Sequence, residues 1–193
     1  MVRKVVFVLF LLSFASLSSI LAGEEPIGSL FNDKINSHTP VKVCIKEVIN
    51  QSGQNQIAPE AFNKALEKSL HQRRSIKFEV VNNPAESDIQ MSAVIMKYQY
   101  LNRGPFKPSP GVETMLLDAA ASATLNYVEM SVEYSVVDTK TDKLLWKGTI
   151  SEYLKKKMTP EESVPLIYDV VTRTFIWKCF GKANLREHNN QVM

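Results

Sequence analysis

The strictest constraint in this sequence is a period of two that runs from residue 128 to residue 136. Val128, Met130, Val132, Tyr134 and Val136 alternate there with Glu129, Ser131, Glu133 and Ser135. Successive side chains of a strand point to opposite sides, so this spacing suits a strand with one face in a core and the other in water. A helix would scatter the same residues around its axis. Residues 138–142, Asp-Thr-Lys-Thr-Asp, interrupt the pattern with turn formers. Leu144, Trp146, Gly148 and Ile150 then resume it out to Tyr153. The two runs read as an antiparallel hairpin whose apolar face needs a cover.

Two helical stripes supply that cover. Pro59 stands in a first-turn position, where its missing N–H costs nothing. Ala61, Phe62, Ala65, Leu66, Ser69 and Leu70 follow at helical spacing, and Arg73 and Arg74 suit the helix's negative end. The second helix opens on Thr159-Pro160-Glu161-Glu162, a capping box with proline at the first helical position. It carries Val164, Ile167, Val170, Val171 and Phe175 on one stripe and ends at Gly181, with Pro165 early enough to be accommodated. Alternation elsewhere predicts strands over 41–48, over 76–80 and from Ile89 to Tyr100, with Asn82-Asn83-Pro84 as a break. The order β-α-β-β-loop-β-β-α predicts an α+β two-layer sandwich. Its mixed or antiparallel sheet has about five strands, with two helices on one face and a polar, partly open second face.

Around that core, residues 1–23 read as a signal peptide. Arg3 and Lys4 precede the apolar run 5–12, and small residues at 22 and 23 offer a cleavage point. The alternative is an uncleaved anchor, since 5–22 is just long enough to span a bilayer. Residues 24–39 read as an N-terminal linker, 40–182 as a single α/β domain and 183–193 as a polar tail. Between strands, residues 102–126 combine loop punctuation with the apolar Met115-Leu116-Leu117. A loop that long in a small domain is usually functional or disordered. The two cysteines, Cys44 and Cys179, are expected as free thiols. A bridge between them would have to cross the sheet, beyond the reach of about 7 Å between Cα atoms.

Charge and motifs exclude several function classes. The net charge is +3 with Arg3 and Lys4 in the leader, which is not the basic footprint of a nucleic-acid binder. Arg73-Arg74 and residues 155–157, all lysine, read as solvated ends, or alternatively as contacts to anionic lipid or lipopolysaccharide phosphate. His38, His71 and His188 sit in a linker, at a helix end and in the tail, none placed beside a nucleophile. No metal-ligand spacing and no glycine-rich phosphate loop is present. Glu129 and Glu133 share one strand face and read as solvent contacts. Trp146 falls in the core register, whereas Trp177 is either core or half-exposed. The expectation is a protein without catalytic residues, cofactor or metal.

Several stretches resemble the family of LptE, the lipopolysaccharide-assembly lipoprotein. They are the strand and loop Val41-Lys42-Val43-Cys44-Ile45 to Asn50-Gln51-Ser52, and the helix Phe62-Asn63-Lys64-Ala65-Leu66-Glu67-Lys68-Ser69-Leu70. Phe78-Glu79-Val80-Val81 and Ser87-Asp88-Ile89-Gln90-Met91-Ser92-Ala93-Val94-Ile95 follow, then the hairpin from Val136 through Asp138 to Trp146-Lys147-Gly148. The resemblance covers roughly residues 41–180 as element order and hydrophobicity. It implies an envelope accessory protein in the periplasm or at the inner leaflet of the outer membrane. Its implied partners are an outer-membrane β-barrel and lipopolysaccharide. Lipid-anchored members carry a lipidated cysteine at the end of the leader, and the first cysteine here is Cys44. The alternative is a periplasmic regulator of a peptidoglycan synthase or a secretion-accessory protein of the same architecture; a hydrolase is a third reading. Partner contacts are expected in the long loop, at Arg103, Phe106, Lys107, Met115 and Leu116, where basic and apolar groups combine. The other reading of that loop is a cover over a sheet edge.

Overall fold

The computed structural model describes residues 25–102 and 126–181. The stretch read as a signal peptide, the polar tail and the five loop residues expected to bind a partner lie outside the described residues. A 3-10 turn at Ile27–Phe31 leads into a short helix α1 (Asn32–Asn36). Strand β1 (Val41–Asn50), helix α2 (Pro59–His71) and the short strand β2 (Phe78–Val80) follow. Strands β3 (Ile89–Asn102), β4 (Asn126–Asp138) and β5 (Leu144–Lys156) come next, then helix α3 (Pro160–Phe180).

The five strands form one mixed sheet in the order β2-β1-β3-β4-β5. β1 runs parallel to both β2 and β3, and β3–β4 and β4–β5 are antiparallel. The parallel β1–α2–β2 connection requires a crossover, and α2 supplies it. α2 and α3 pack together on one face of the sheet, giving the expected α+β sandwich.

Burial follows the alternation in β4: residues 126, 128, 130, 132, 134 and 136 are buried and the intervening ones are not. α2 turns Phe62, Leu66, Ser69 and Leu70 to the sheet. α3 turns in Ile167, Tyr168, Val171, Phe175, Ile176, Cys179 and Phe180. Each large apolar side chain buried this way contributes about 1.5–3 kcal/mol. Ser69 and Thr172 meet between the helices at 2.7 Å, and Thr172 also donates to the Tyr168 carbonyl at 2.7 Å. The Thr159 hydroxyl accepts from Glu162 N at 3.2 Å while Glu162 Oε2 accepts from Thr159 N at 2.9 Å, completing the capping box. Gly181 takes φ 58 at the end of α3, a conformation that favours glycine. In the β4–β5 turn, Asp138 Oδ1 accepts from Lys140 N, Thr141 N and the Thr141 hydroxyl. These bonds hold the carboxyl below its ordinary range. The turn's contribution is therefore present above the unfolded carboxyl's pKa and lost as acid protonates the folded one.

Three differences from the sequence reading have physical causes. The stretch read as a linker is folded over residues 27–36, with Ile27, Gly28 and Phe31 buried. Phe31 and Phe78 both pack against Phe180, tilted and edge-on, at 6.2 and 4.9 Å between ring centroids. Leu144 does not share the core face with Trp146. A bulge between Val136 and Val137 pairs Val136 with Trp146 and Val137 with Leu144, which turns Leu144 outward at 41% exposure. Strand β2 pairs only over Phe78–Val80, although Ile76 is buried. Trp146 lies in the core as expected, its indole over Gly148, and Trp177 is 58% exposed.

Two substitutions test this packing. Tyr134 is fully buried with no partner for its hydroxyl, and burial pushes that group well above its ordinary range. Tyr134→Phe keeps the ring and removes the orphaned donor, so thermal or urea unfolding is expected to show a gain of about 1 kcal/mol. Gly28 approaches α3 so closely that a Cβ would sit 2.0 Å from the Phe180 carbonyl oxygen. Gly28→Ala is expected to cost about 1–3 kcal/mol on the same measurement, by forcing the N-terminal segment off the helix end.

Candidate functional site

The face of the sheet away from α2 and α3 carries the outward side chains of β3, β4 and β5. Register sets its rows. Leu101, Tyr127 and Lys155 lie side by side, then Gln99, Glu129 and Tyr153, then Lys97, Ser131 and Ser151. Further along come Val94, Glu133 and Thr149, and then Ser92, Ser135 and Lys147. Bulges at Lys46 in β1 and Met96 in β3 keep these rows in phase across strands of different length.

The centre of this face is occupied by paired polar groups. Lys97 Nζ reaches Glu129 Oε2 at 2.8 Å, Lys147 Nζ reaches Glu133 Oε1 at 3.1 Å, and Ser131 meets Ser151 at 2.8 Å. Each glutamate is thus answered by a lysine of a neighbouring strand, an arrangement of surface ion pairs. Such pairs are worth about 0–1 kcal/mol each, so they keep the face soluble more than they hold it together.

One corner is different. Tyr127 and Tyr153 stack with ring centroids 5.7 Å apart and planes 23° apart. Tyr153 is 60% exposed and Leu101, beside Tyr127, is 37% exposed. The corner is braced from behind. The Met158 carbonyl accepts from the Tyr100 hydroxyl at 2.8 Å and from the Asn126 amide. Tyr98 and Ser163 share a buried hydrogen bond of 2.7 Å. These contacts tie the end of β3 and the start of β4 to the entry of α3, so the aromatic corner stands on a fixed base. Stacked tyrosines next to an exposed leucine favour contact with another surface, because tyrosine buries large area while keeping a polar tip.

The expected contacts at Arg103, Phe106, Lys107, Met115 and Leu116 fall outside the described residues, so the structure brings none of them to a site. The aromatic corner was missed by the sequence reading, although its signal is present. Tyr127 and Tyr153 both sit out of phase with the core residues of their strands, where a polar side chain is the norm.

The remaining candidates are accounted for locally. His38 Nδ1 lies 3.1 Å from the Asn36 carbonyl and His71 Nδ1 lies 2.8 Å from the Glu67 carbonyl, both exposed. Among the described residues no three His, Cys, Asp or Glu side chains gather as a metal site. None of the described helices is long and apolar enough to cross a membrane. Cys44 and Cys179 are both free and buried. Cys44 pairs in register with Gln90 on the open side of the sheet, whereas Cys179 belongs to α3 on the other. Burial raises the Cys44 thiol against the pull of Lys46, and raises Cys179 well above the ordinary range against the pull of Arg73.

No protein-family model and no curated protein matches the chain. Among solved structures, it is similar to a protein of Chlamydia trachomatis, CT253, with a TM-score of 0.49 and 10% identity, over 75% of this chain and 98% of that one. It is similar to the PelC dodecamer of Paraburkholderia phytofirmans with a TM-score of 0.47 and 9% identity, over 72% and 88%. Lipoprotein GNA1162 of Neisseria meningitidis gives a TM-score of 0.40 and 10% identity, over 70% and 98%. At these scores the likenesses assign no family, and no family model supports the resemblance to the LptE family.

The thiols give a direct check on the two-sided burial. Thiolates react and thiols do not, so a disulfide-exchange reagent at neutral pH is expected to label neither cysteine in the folded chain. Both are expected to react once denaturant unfolds it. Labelling of Cys179 under native conditions would mean that α3 does not stay on the sheet.

Proposed function

We propose that this protein is a non-catalytic accessory of the bacterial envelope that assists outer-membrane lipopolysaccharide assembly, docking on a β-barrel translocon through the open face of its sheet. The observation that carries this reading is the braced corner of Leu101, Tyr127 and Tyr153, an aromatic patch beside a centre of paired polar groups. A solvated face does not call for two stacked tyrosines there; an interface does, with the aromatic group as anchor and the ion pairs as a polar rim. The leader-like residues 1–23 support export, and the LptE resemblance supports the choice of a barrel. Arg103, Phe106, Lys107, Met115 and Leu116 follow β3 in sequence, outside the described residues, and the reading does not rest on them.

A photo-crosslinking residue at position 153, expressed in native cells, tests the reading. The expected adduct contains an outer-membrane β-barrel, and the same residue at position 140, in the turn at the other end of the hairpin, gives none. A peptidoglycan synthase in the adduct would replace the barrel by the regulator reading. Equal yields at 153 and 140 would remove the docking face altogether. Tyr153→Glu is expected to reduce partner recovery by about tenfold or more, the usual cost of losing an aromatic anchor.

A further inference from the structure

At the opposite end of the sheet from the aromatic corner, where β1, β2 and β3 begin, a cleft of about 480 Å³ opens between α1 and the α2–β2 connection. It is lined by Lys34, Ile35, Asn36, His38, Thr39, Arg74, Ser75 and Lys77, with no carboxylate among them. We propose that this cleft is an anion site for a phosphate group carried on a larger body, held chiefly by Arg74 and Lys77. The proposal does not depend on the docking face, which could fail while this site stands.

The cations of the cleft divide into those already committed and those that are not. Lys34 Nζ is bound to Asp88 Oδ2 at 2.6 Å, so its charge is largely answered inside the fold. Arg73, next in sequence to Arg74, is also committed. Its Nε donates to Ser75 Oγ at 2.9 Å and its guanidinium reaches the Ile176 carbonyl at 3.5 Å. Arg74 and Lys77 are exposed and form no ion pair with any described carboxylate. The Arg73-Arg74 pair is thus split by the structure into a brace and an open charge.

One further feature favours an oxyanion. Arg73 Nε can only donate, so Ser75 Oγ accepts from it and keeps its own proton as a donor for a ligand. A guanidinium, an ammonium and a hydroxyl donor around one concavity match the acceptor-only edge of a phosphate. The volume exceeds what a bare phosphate fills, which points to a phosphate monoester or diester whose remainder also enters the cleft.

The test uses the full chain at neutral pH and moderate salt. Titration with inorganic phosphate, followed by backbone amide shifts, is expected to move residues 34–39 and 74–77 saturably, with a dissociation constant of about 1 mM. The double variant Arg74→Gln/Lys77→Gln is expected to weaken this by about tenfold or more. Lys46→Gln/Lys64→Gln removes the same charge outside the cleft, from β1 and α2, and is expected to leave binding within about twofold. Sedimentation with vesicles of phosphatidylglycerol in phosphatidylcholine separates the sources. Vesicle binding that the Arg74/Lys77 variant loses and free phosphate displaces marks a lipid headgroup; phosphate shifts without vesicle binding mark a soluble phosphate ester. No saturable shift in the cleft, or equal loss in the two double variants, overturns the site.

Discussion

Everything in this molecule hangs on the contact between the inner face of β4 and the two helices. Tyr134 lies flat on Phe175, with ring centroids 3.9 Å apart and planes 3° apart, and Phe62 of α2 comes within 6.3 Å of the same tyrosine. Trp146 from β5 and Tyr168 from α3 close the group at 5.4 Å from Phe175 and 5.1 Å from Phe62. One cluster therefore joins both helices to the two strands of the hairpin. A single apolar sheet face can be covered only once, and using both helices there leaves the opposite face without a helix among the described residues.

A second knot organises the end of the sheet where β3 begins. Asp88 Oδ2 accepts from Lys42 N at 2.8 Å and binds Lys34 at 2.6 Å, while Asp88 N donates to the Lys42 carbonyl at 2.8 Å. The Asp88 carbonyl in turn accepts from Thr139 N at 3.0 Å. One residue thus fastens α1, β1 and the β4–β5 turn to the start of β3. This is why the short N-terminal helix is part of the fold although no pattern in its sequence announces a core element. It is also why one of the cleft's lysines is spent internally while its neighbours are not.

The sequence revealed the parts of the fold governed by local periodicity and missed those set by long-range pairing. β4 was legible because five alternate apolar residues run from Val128 to Val136, and the α3 start because Thr159 and Glu162 satisfy each other's backbone. The bulge opposite Val137 was not legible, since alternation continues through Leu144 until a partner strand fixes register. Ile27 and Phe31 looked like scattered apolar residues in a linker, and only Phe180, some 150 positions later in the sequence, gives them a place. Cys44 was placed on the right side of β1, but its burial depends on the loop after β2, whose Asn82 carbonyl lies 4.0 Å from the sulfur. For the site, attention went to a long loop rich in mixed signals, while two tyrosines in outward strand positions carried the clearer one.

β3 runs unbroken, apart from one bulge, from Ile89 beside the Asp88 knot to Leu101 at the aromatic corner. At about 3.3 Å per residue those twelve steps span about 40 Å, more than the roughly 30 Å of a bilayer's apolar interior. Hydrogen-bonded to β4 along its length and to β1 over Ile89–Ile95, β3 behaves as a strut. Whatever holds one end and whatever holds the other are kept apart by a fixed length and at a fixed orientation. Attachments so far separated share no side chains, so their free energies add without coupling, and two weak grips make one strong one only where both targets lie a strut's length apart.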